Sequence, residues 1–171
     1  MRKKLYLAAA MCWLPLLQAC SQPTNKAYAL LLKSLYDNTV PQIKPEKLYQ
    51  LLEQKHQLLL LDTRSTKEFA VSHMKGARQV DPATFQPTEL GKEAKDKLVV
   101  VYCSVGYRSE RVGEKLQQAG FTNVLNLYGG LFEWVNRGFP VYNRAGVTQQ
   151  VHAYSELWGM WLQKGEKVYD E

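Results

Sequence analysis

The sequence predicts an α/β fold, a central, mainly parallel sheet flanked by helices on both faces. Two observations carry this. The continuous apolar runs Leu58 to Leu61 and Val99 to Tyr102 read as strands buried on both faces, as parallel strands are. Segments with helical spacing alternate with them, supplying the crossovers that a parallel sheet requires. In such sheets a ligand site forms at the carboxyl ends of the strands, and Cys103 directly follows the second run.

The chain opens differently. Arg2, Lys3 and Lys4 precede LYLAAAMCWLPLL, an apolar run short for a membrane span and right for a secretory signal. It ends in Leu17-Gln18-Ala19-Cys20, which resembles the lipobox of bacterial lipoproteins, although Gln18 stands where a small or aliphatic residue is usual. Residues 1–19 are therefore expected to be a lipoprotein-type signal peptide, with Cys20 lipidated as the mature N-terminus. The protein would face the periplasm of the cell envelope from a membrane surface, with Ser21 suiting outer-membrane sorting in a Gram-negative host. The competing reading is simple cleavage near Ala19 without lipid.

Residues 20–44 read as the polar linker SQPTN followed by a packing helix, AYALLLKSLYDN, ended by Pro41 and Pro45. The main domain is expected over residues 45–143. PEKLYQLLEQ gives its first helix, with Pro45 in the first turn. After the first strand, Asp62 and Arg64 are expected to form an ion pair and helix cap that fix the loop before STKEFAVS. Ala77 to Val80 forms a short strand, and a proline-punctuated connection follows. Beyond Cys103, Val112, Leu116 and Ala119 recur at helical spacing from Ser109 onward, with Glu110, Arg111, Glu114 and Lys115 facing outward. Gly120 ends that helix, Asn123 to Leu127 is a strand, and Gly129-Gly130 leads into a helix whose Trp134 anchors the core. Residues 144–171 are expected to be a helical extension, because Tyr154, Leu157, Trp158 and Trp161 recur at three- and four-residue spacing. Docking on the domain is the simpler reading; a lid or partner surface beside the Cys103 loop is the sharper one.

Of 171 residues, 46% are hydrophobic and 22% charged, an ordinary globular balance. The formal charge of +6 falls to about +3 once Arg2, Lys3 and Lys4 leave with the signal, too mild and dispersed for a nucleic-acid surface. KEAKDK is most simply a solvated face. His56, His73 and His152 show no paired ligand spacing, so neither a metal nor another cofactor is expected. Cys12 would leave with the signal and Cys20 would carry lipid, leaving Cys103 the one free thiol.

Ser104, Val105, Gly106, Tyr107 and Arg108 separate strand from helix. A loop this short can turn backbone N–H groups toward one point, where the first-turn donors and dipole of the helix also act. Such surroundings favour a reactive thiolate at Cys103. Gly106 suits a positive φ or a close backbone approach, and Arg108 presents a planar fork to an oxyanion. A cysteine after a buried strand also suits a small core residue; the Gly, Arg and helix start favour the nucleophile.

CSVGYRS, with LLLLDTRSTKEFAVSHMKGA before it and GFTNVLNLYGGLFEWVNRGFPV after it, resembles a single rhodanese domain, the sulfurtransferase module that carries sulfur as a cysteine persulfide. The resemblance implies a rhodanese-like fold, with Cys103 as the persulfide carrier and Arg108 beside it orienting the donor or bracing the loop. It implies substrate contacts from Ser104, Val105, Gly106, Tyr107 and Ser109, with Val105 and Tyr107 pointing outward to shape donor choice. Asp62 and Arg64 would be framework, and His73 a hydrogen-bonded turn residue in a motif where Ser72 replaces the usual Gly. The implied partners are a small sulfur donor such as thiosulfate and a thiol or cyanide acceptor, besides an unidentified envelope protein. Four residues separate Cys103 from Arg108, as in active rhodaneses, whereas the related phosphatases and arsenate reductases have a longer loop. The other alternative is a non-catalytic binding or redox-sensing module.

Overall fold

The computed structural model describes residues 26–91 and 95–170. The signal segment, Cys20 and the SQPTN linker lie outside the described residues. Five strands, β1 (Gln42–Ile43), β2 (Leu59–Asp62), β3 (Arg78–Gln79), β4 (Val99–Tyr102) and β5 (Val124–Leu127), form one sheet in the order β1-β5-β4-β2-β3. Every pairing is parallel. On the central strand β4, Val99 pairs with Leu59 on one side and Val124 on the other, and Tyr102 stands opposite Asp62.

All four residues of β4 are buried, and their alternation divides the core in two. Val100 and Tyr102 join a layer with Leu60, Leu127 and Trp134, while Val99 and Val101 join one with Leu61, Val112 and Leu116. The first layer is covered by α1 (Lys26–Leu35), α2 (Pro45–Glu53) and α5 (Gly130–Asn136), and the second by α4 (Tyr107–Gln118). Tyr28 and Leu32 of α1 are fully buried, so this helix is part of the core. Trp134 is buried as expected, its indole N–H donating to Pro140 O at 2.9 Å.

Several bounds differ from the sequence reading. The edge strand β1 lies immediately after Pro41, in a segment expected to be only a break. Helix α4 begins at Tyr107, two residues before Ser109, and β5 begins at Val124. The largest correction concerns residues 144–171, which are not a helical extension. A hairpin joins β6 (Val141–Asn143) to β7 (Gly146–Thr148), straddling the boundary placed at residue 143. Then β8 (Gln150–His152) pairs in parallel with β9 (Glu166–Val168), and the only helix between them is the single turn α6 (Glu156–Gly159). Tyr154 has φ 67°, a left-handed conformation that no helix accepts. At the other end, a Cβ on Gly159 would lie 2.7 Å from Tyr169 Oη, so the chain there packs against the residue that follows β9 instead of winding on. The aromatic spacing reflects separate anchors: the Trp161 ring stacks on Tyr28 at 5.4 Å, while Leu157 is 68% exposed. Among the described residues no helix is long and apolar enough to cross a membrane.

Candidate active site

Cys103 leaves the carboxyl end of β4 and sits at the head of α4, where Gly106 turns the chain at φ 101°. The residue is 1% exposed, and Gly106 N–H donates to its Sγ at 3.1 Å. The opposite side of the loop is held by the start of α5. Leu131 N–H donates to Cys103 O at 2.8 Å and Phe132 N–H to Ser104 O at 3.0 Å. This approach requires glycine at 130, since a Cβ there would lie 2.4 Å from Cys103 O.

Tyr36, from the chain just after α1, joins the two loops. Its hydroxyl donates to Val105 O at 2.5 Å and accepts from Gly129 N–H at 2.9 Å. Burial pushes the phenol well above its ordinary value, so it remains an O–H donor. Gly106 is confined by the same ring: a Cβ there would lie 2.3 Å from Tyr36 Oη.

Arg108 is bound to the protein's own carboxylate. Its Nη1 donates to Glu68 Oε2 at 2.9 Å and its Nη2 to Glu68 Oε1 at 2.7 Å. Ser104 Oγ completes a triangle, donating to Glu68 Oε1 and accepting from Arg108 Nη2, each at 3.0 Å. Burial acts to raise the Glu68 carboxyl, but the Arg108 hydrogen bonds and charge, aided by Ser65 N–H, bring it down to about 2. Burial likewise opposes the Arg108 cation, yet Glu68 and the neighbouring Cys103 raise it above its ordinary value. Of the two roles implied for Arg108, the geometry therefore displays bracing of the loop.

Other candidate residues separate into cleft and framework. Ser109 is a correction: it is fully buried, with Oγ 2.7 Å from Asn126 Oδ1 and 3.1 Å from Gly106 O. Asn126 Nδ2 also donates to Gly106 O at 2.9 Å, so Ser109 and Asn126 support the loop from beneath, out of reach of a substrate. Val105 is a correction in orientation only: it packs against the core instead of pointing outward, as Tyr107 does, but still lines the cleft. Asp62 and Arg64 are fully buried and paired, Arg64 Nε donating to Asp62 Oδ1 at 2.9 Å and Nη2 to Ser72 O at 2.6 Å. The helix cap expected of them belongs instead to Ser65 and Glu68, which form a reciprocal capping box on α3 (Thr66–Val71). His73 is hydrogen-bonded as expected, its Nδ1 lying 2.9 Å from Phe69 O, but it precedes the turn at Lys75-Gly76 and forms an antiparallel bridge with Tyr142, exchanging two backbone hydrogen bonds of 2.8 Å. No group of three or more His, Cys, Asp or Glu side chains suited to a metal occurs among the described residues.

A cleft of about 280 Å³ opens over the loop, lined by Cys103, Ser104, Val105, Tyr107 and Arg108 together with Leu35, Tyr154 and Trp158. Its outer walls thus come from α1 and the tail. Sequence reasoning missed Glu68, Tyr36 and Asn126. Glu68 carried a signal, Ser65-x-x-Glu68, which marks a capping box but not its second partner.

Together these features define a parallel α/β domain that presents a cysteine on a strand-to-helix loop. The chain belongs to the rhodanese-like domain family, which matches residues 44–137, more than half of it. A sulfurtransferase of Allochromatium vinosum is 36% identical over 102 residues, spanning 60% of this chain and 94% of that protein. A tRNA uridine(34) hydroxylase of Photorhabdus laumondii is 32% identical over 108 residues, spanning 58% of this chain but only 30% of the hydroxylase. Among solved structures, a rhodanese-like domain from Anabaena sp. superposes with a TM-score of 0.55 at 25% identity, covering 60% of this chain and 79% of that one. A protein from Bacillus halodurans reaches 0.57 at 20% identity, covering 70% and 86%, a likeness of fold.

Proposed function

We propose that this protein is a sulfurtransferase that carries sulfane sulfur as a persulfide on Cys103. The observation that carries the reading is the Gly106 N–H aimed at Cys103 Sγ at the floor of the cleft. A backbone donor fixed by a left-handed glycine stabilises an anionic sulfur with no reorganisation during the reaction. The relative named a sulfurtransferase, matched over nearly its whole length, supports the same class.

In the first half-reaction the Cys103 thiolate attacks the outer sulfur of a donor such as thiosulfate. A new S–S bond forms at Cys103, the donor's S–S bond breaks, and sulfite leaves with the electron pair. In the second, an acceptor thiolate or cyanide attacks the outer sulfur of the persulfide and returns Cys103 to the thiolate. Glu68, Arg108 and Ser104 hold the loop so that Gly106 N–H keeps its aim.

Export and lipidation at Cys20 belong to the same proposal and rest on the N-terminal sequence. A lipid-modified N-terminal peptide from cell envelopes, lost in Cys20→Ser, is the expected result.

Intact-protein mass spectrometry before and after thiosulfate tests the chemistry. The wild type should gain one sulfur atom, reversed by cyanide, and Cys103→Ser should gain none. Persulfide formation on the variant, or none on the wild type with any sulfane donor, would refute the proposal.

A further inference from the structure

Three walls of the Cys103 cleft, Leu35, Tyr154 and Trp158, lie outside the residues matched by the rhodanese-like domain family. They come from segments flanking the matched domain, and they set the cleft's chemistry. With Val105 and Tyr107 they surround the sulfur with aliphatic and aromatic side chains. The polar members, Ser104 and Arg108, are both occupied by Glu68. The one cation at the mouth is therefore matched by a carboxylate within the protein.

Tyr154 is held deliberately. Its backbone is left-handed at φ 67°, its N–H donates to the buried His152 Nδ1 at 3.1 Å, and its ring lies 5.3 Å from the Arg108 guanidinium carbon. A left-handed tyrosine is strained and persists only where its surroundings impose it. Here they place an aromatic face beside the Arg108 guanidinium at the edge of the cleft. Trp158 stands alongside, half-buried, with its backbone N–H capped by Ser155 Oγ at 3.4 Å.

An anionic acceptor entering this space would shed hydration without meeting an unpaired cation, since Arg108 is already matched by Glu68. A neutral organic group would instead bury apolar surface against Leu35 and Val105 and offer a ring to Tyr154 and Trp158. We infer that the acceptor is a small thiol bearing an uncharged, apolar or aromatic group, selected by Leu35, Tyr154 and Trp158. The inference rests on the sulfurtransferase reading and names the acceptor class for that site. The acceptor's thiolate attacks the outer sulfur of the Cys103 persulfide, its new S–S bond forming as the Cys103 S–S bond breaks. The Cys103 thiolate departs with the electron pair and the acceptor leaves as an organic persulfide.

Purified protein loaded by long exposure to excess thiosulfate should be discharged by benzyl mercaptan and by mercaptosuccinate, compared at equal thiolate concentration. A preference of about tenfold or more for benzyl mercaptan is expected, the scale on which an apolar pocket discriminates. That preference should fall severalfold in Tyr154→Ala, an exposed position, and in the conservative Trp158→Phe. Equal rates, or faster discharge by mercaptosuccinate, would overturn the inference. A parallel titration with unreactive benzyl methyl sulfide, followed by tryptophan fluorescence, separates the two readings. Saturable binding without sulfur loading would overturn the persulfide and keep the cleft assignment. Loading and cyanide discharge with no thioether binding would keep the persulfide and overturn the acceptor class.

Discussion

The carboxylate of Glu68 accepts from both terminal nitrogens of Arg108, at 2.9 and 2.7 Å, and so ties the start of α3 to the start of α4 beside the cysteine loop. Glu68 also closes the cap of its own helix through Ser65 N–H at 2.9 Å. One side chain thus sets both a helix end and the guanidinium nearest the sulfur.

Glu68→Gln should weaken the fold by about 2 kcal/mol, the scale of hydrogen bonds to a charged group. Urea unfolding should show a lower midpoint with an unchanged slope. Sulfur loading should slow as well, because Arg108 loses its counter-charge and one of its two acceptor oxygens.

The same pair predicts an acid dependence. The Glu68 carboxyl lies at about 2 in the folded protein against an ordinary 4.5, so the unfolded chain binds the proton more readily. The stability Glu68 contributes is fully present above about pH 4.5 and is lost as pH falls toward 2. The gap in unfolding free energy between wild type and Glu68→Gln should therefore be constant near neutrality and narrow across that acid range.

Gly106→Ala should cost about 1–3 kcal/mol or more, since an L-residue at φ 101° is strained and its Cβ meets Tyr36 Oη at 2.3 Å. Tyr36→Phe removes the hydroxyl while keeping the ring, leaving Val105 O and Gly129 N–H without their shared partner, and should cost about 1–3 kcal/mol. Thermal unfolding of both variants, with sulfur loading alongside, would show whether loop geometry and stability fall together.

Asp62→Asn should be more damaging than either. It leaves Arg64 fully buried without its counter-charge, a loss of about 3–5 kcal/mol. Loading per folded molecule should stay close to that of wild type, as expected of framework. A selective loss of chemistry in folded Asp62→Asn protein would contradict that assignment.

What could be read from the sequence was local. Val99 to Tyr102 announce a doubly buried strand by composition alone, Gly106 announces a turn, and the three motifs flanking and including CSVGYRS carry the family. Glu68 and Tyr36 were out of reach because their decisive partners, Arg108 and Val105, are distant in sequence and are set by the packing of separate helices. Ser109 was misassigned because adjacency to the loop says nothing about which way a side chain faces once a helix begins at Tyr107. In the tail, the spacing of Tyr154, Trp158 and Trp161 imitates a helix because aromatic anchors on a folded-back chain can fall at the same intervals.

The burial of Cys103 turns the tail into a gate for chemistry larger than the cleft. A bulky alkylating reagent cannot reach a side chain 1% exposed behind Leu35, Tyr154 and Trp158, so it must wait for a local opening that lifts the tail. Such an opening must free Val151 and Ala153 of the β8–β9 ribbon from the core, although β9 itself is largely in solvent. The thiol is therefore a built-in reporter: its labelling rate measures how often the C-terminal ribbon detaches while the parallel sheet stays intact.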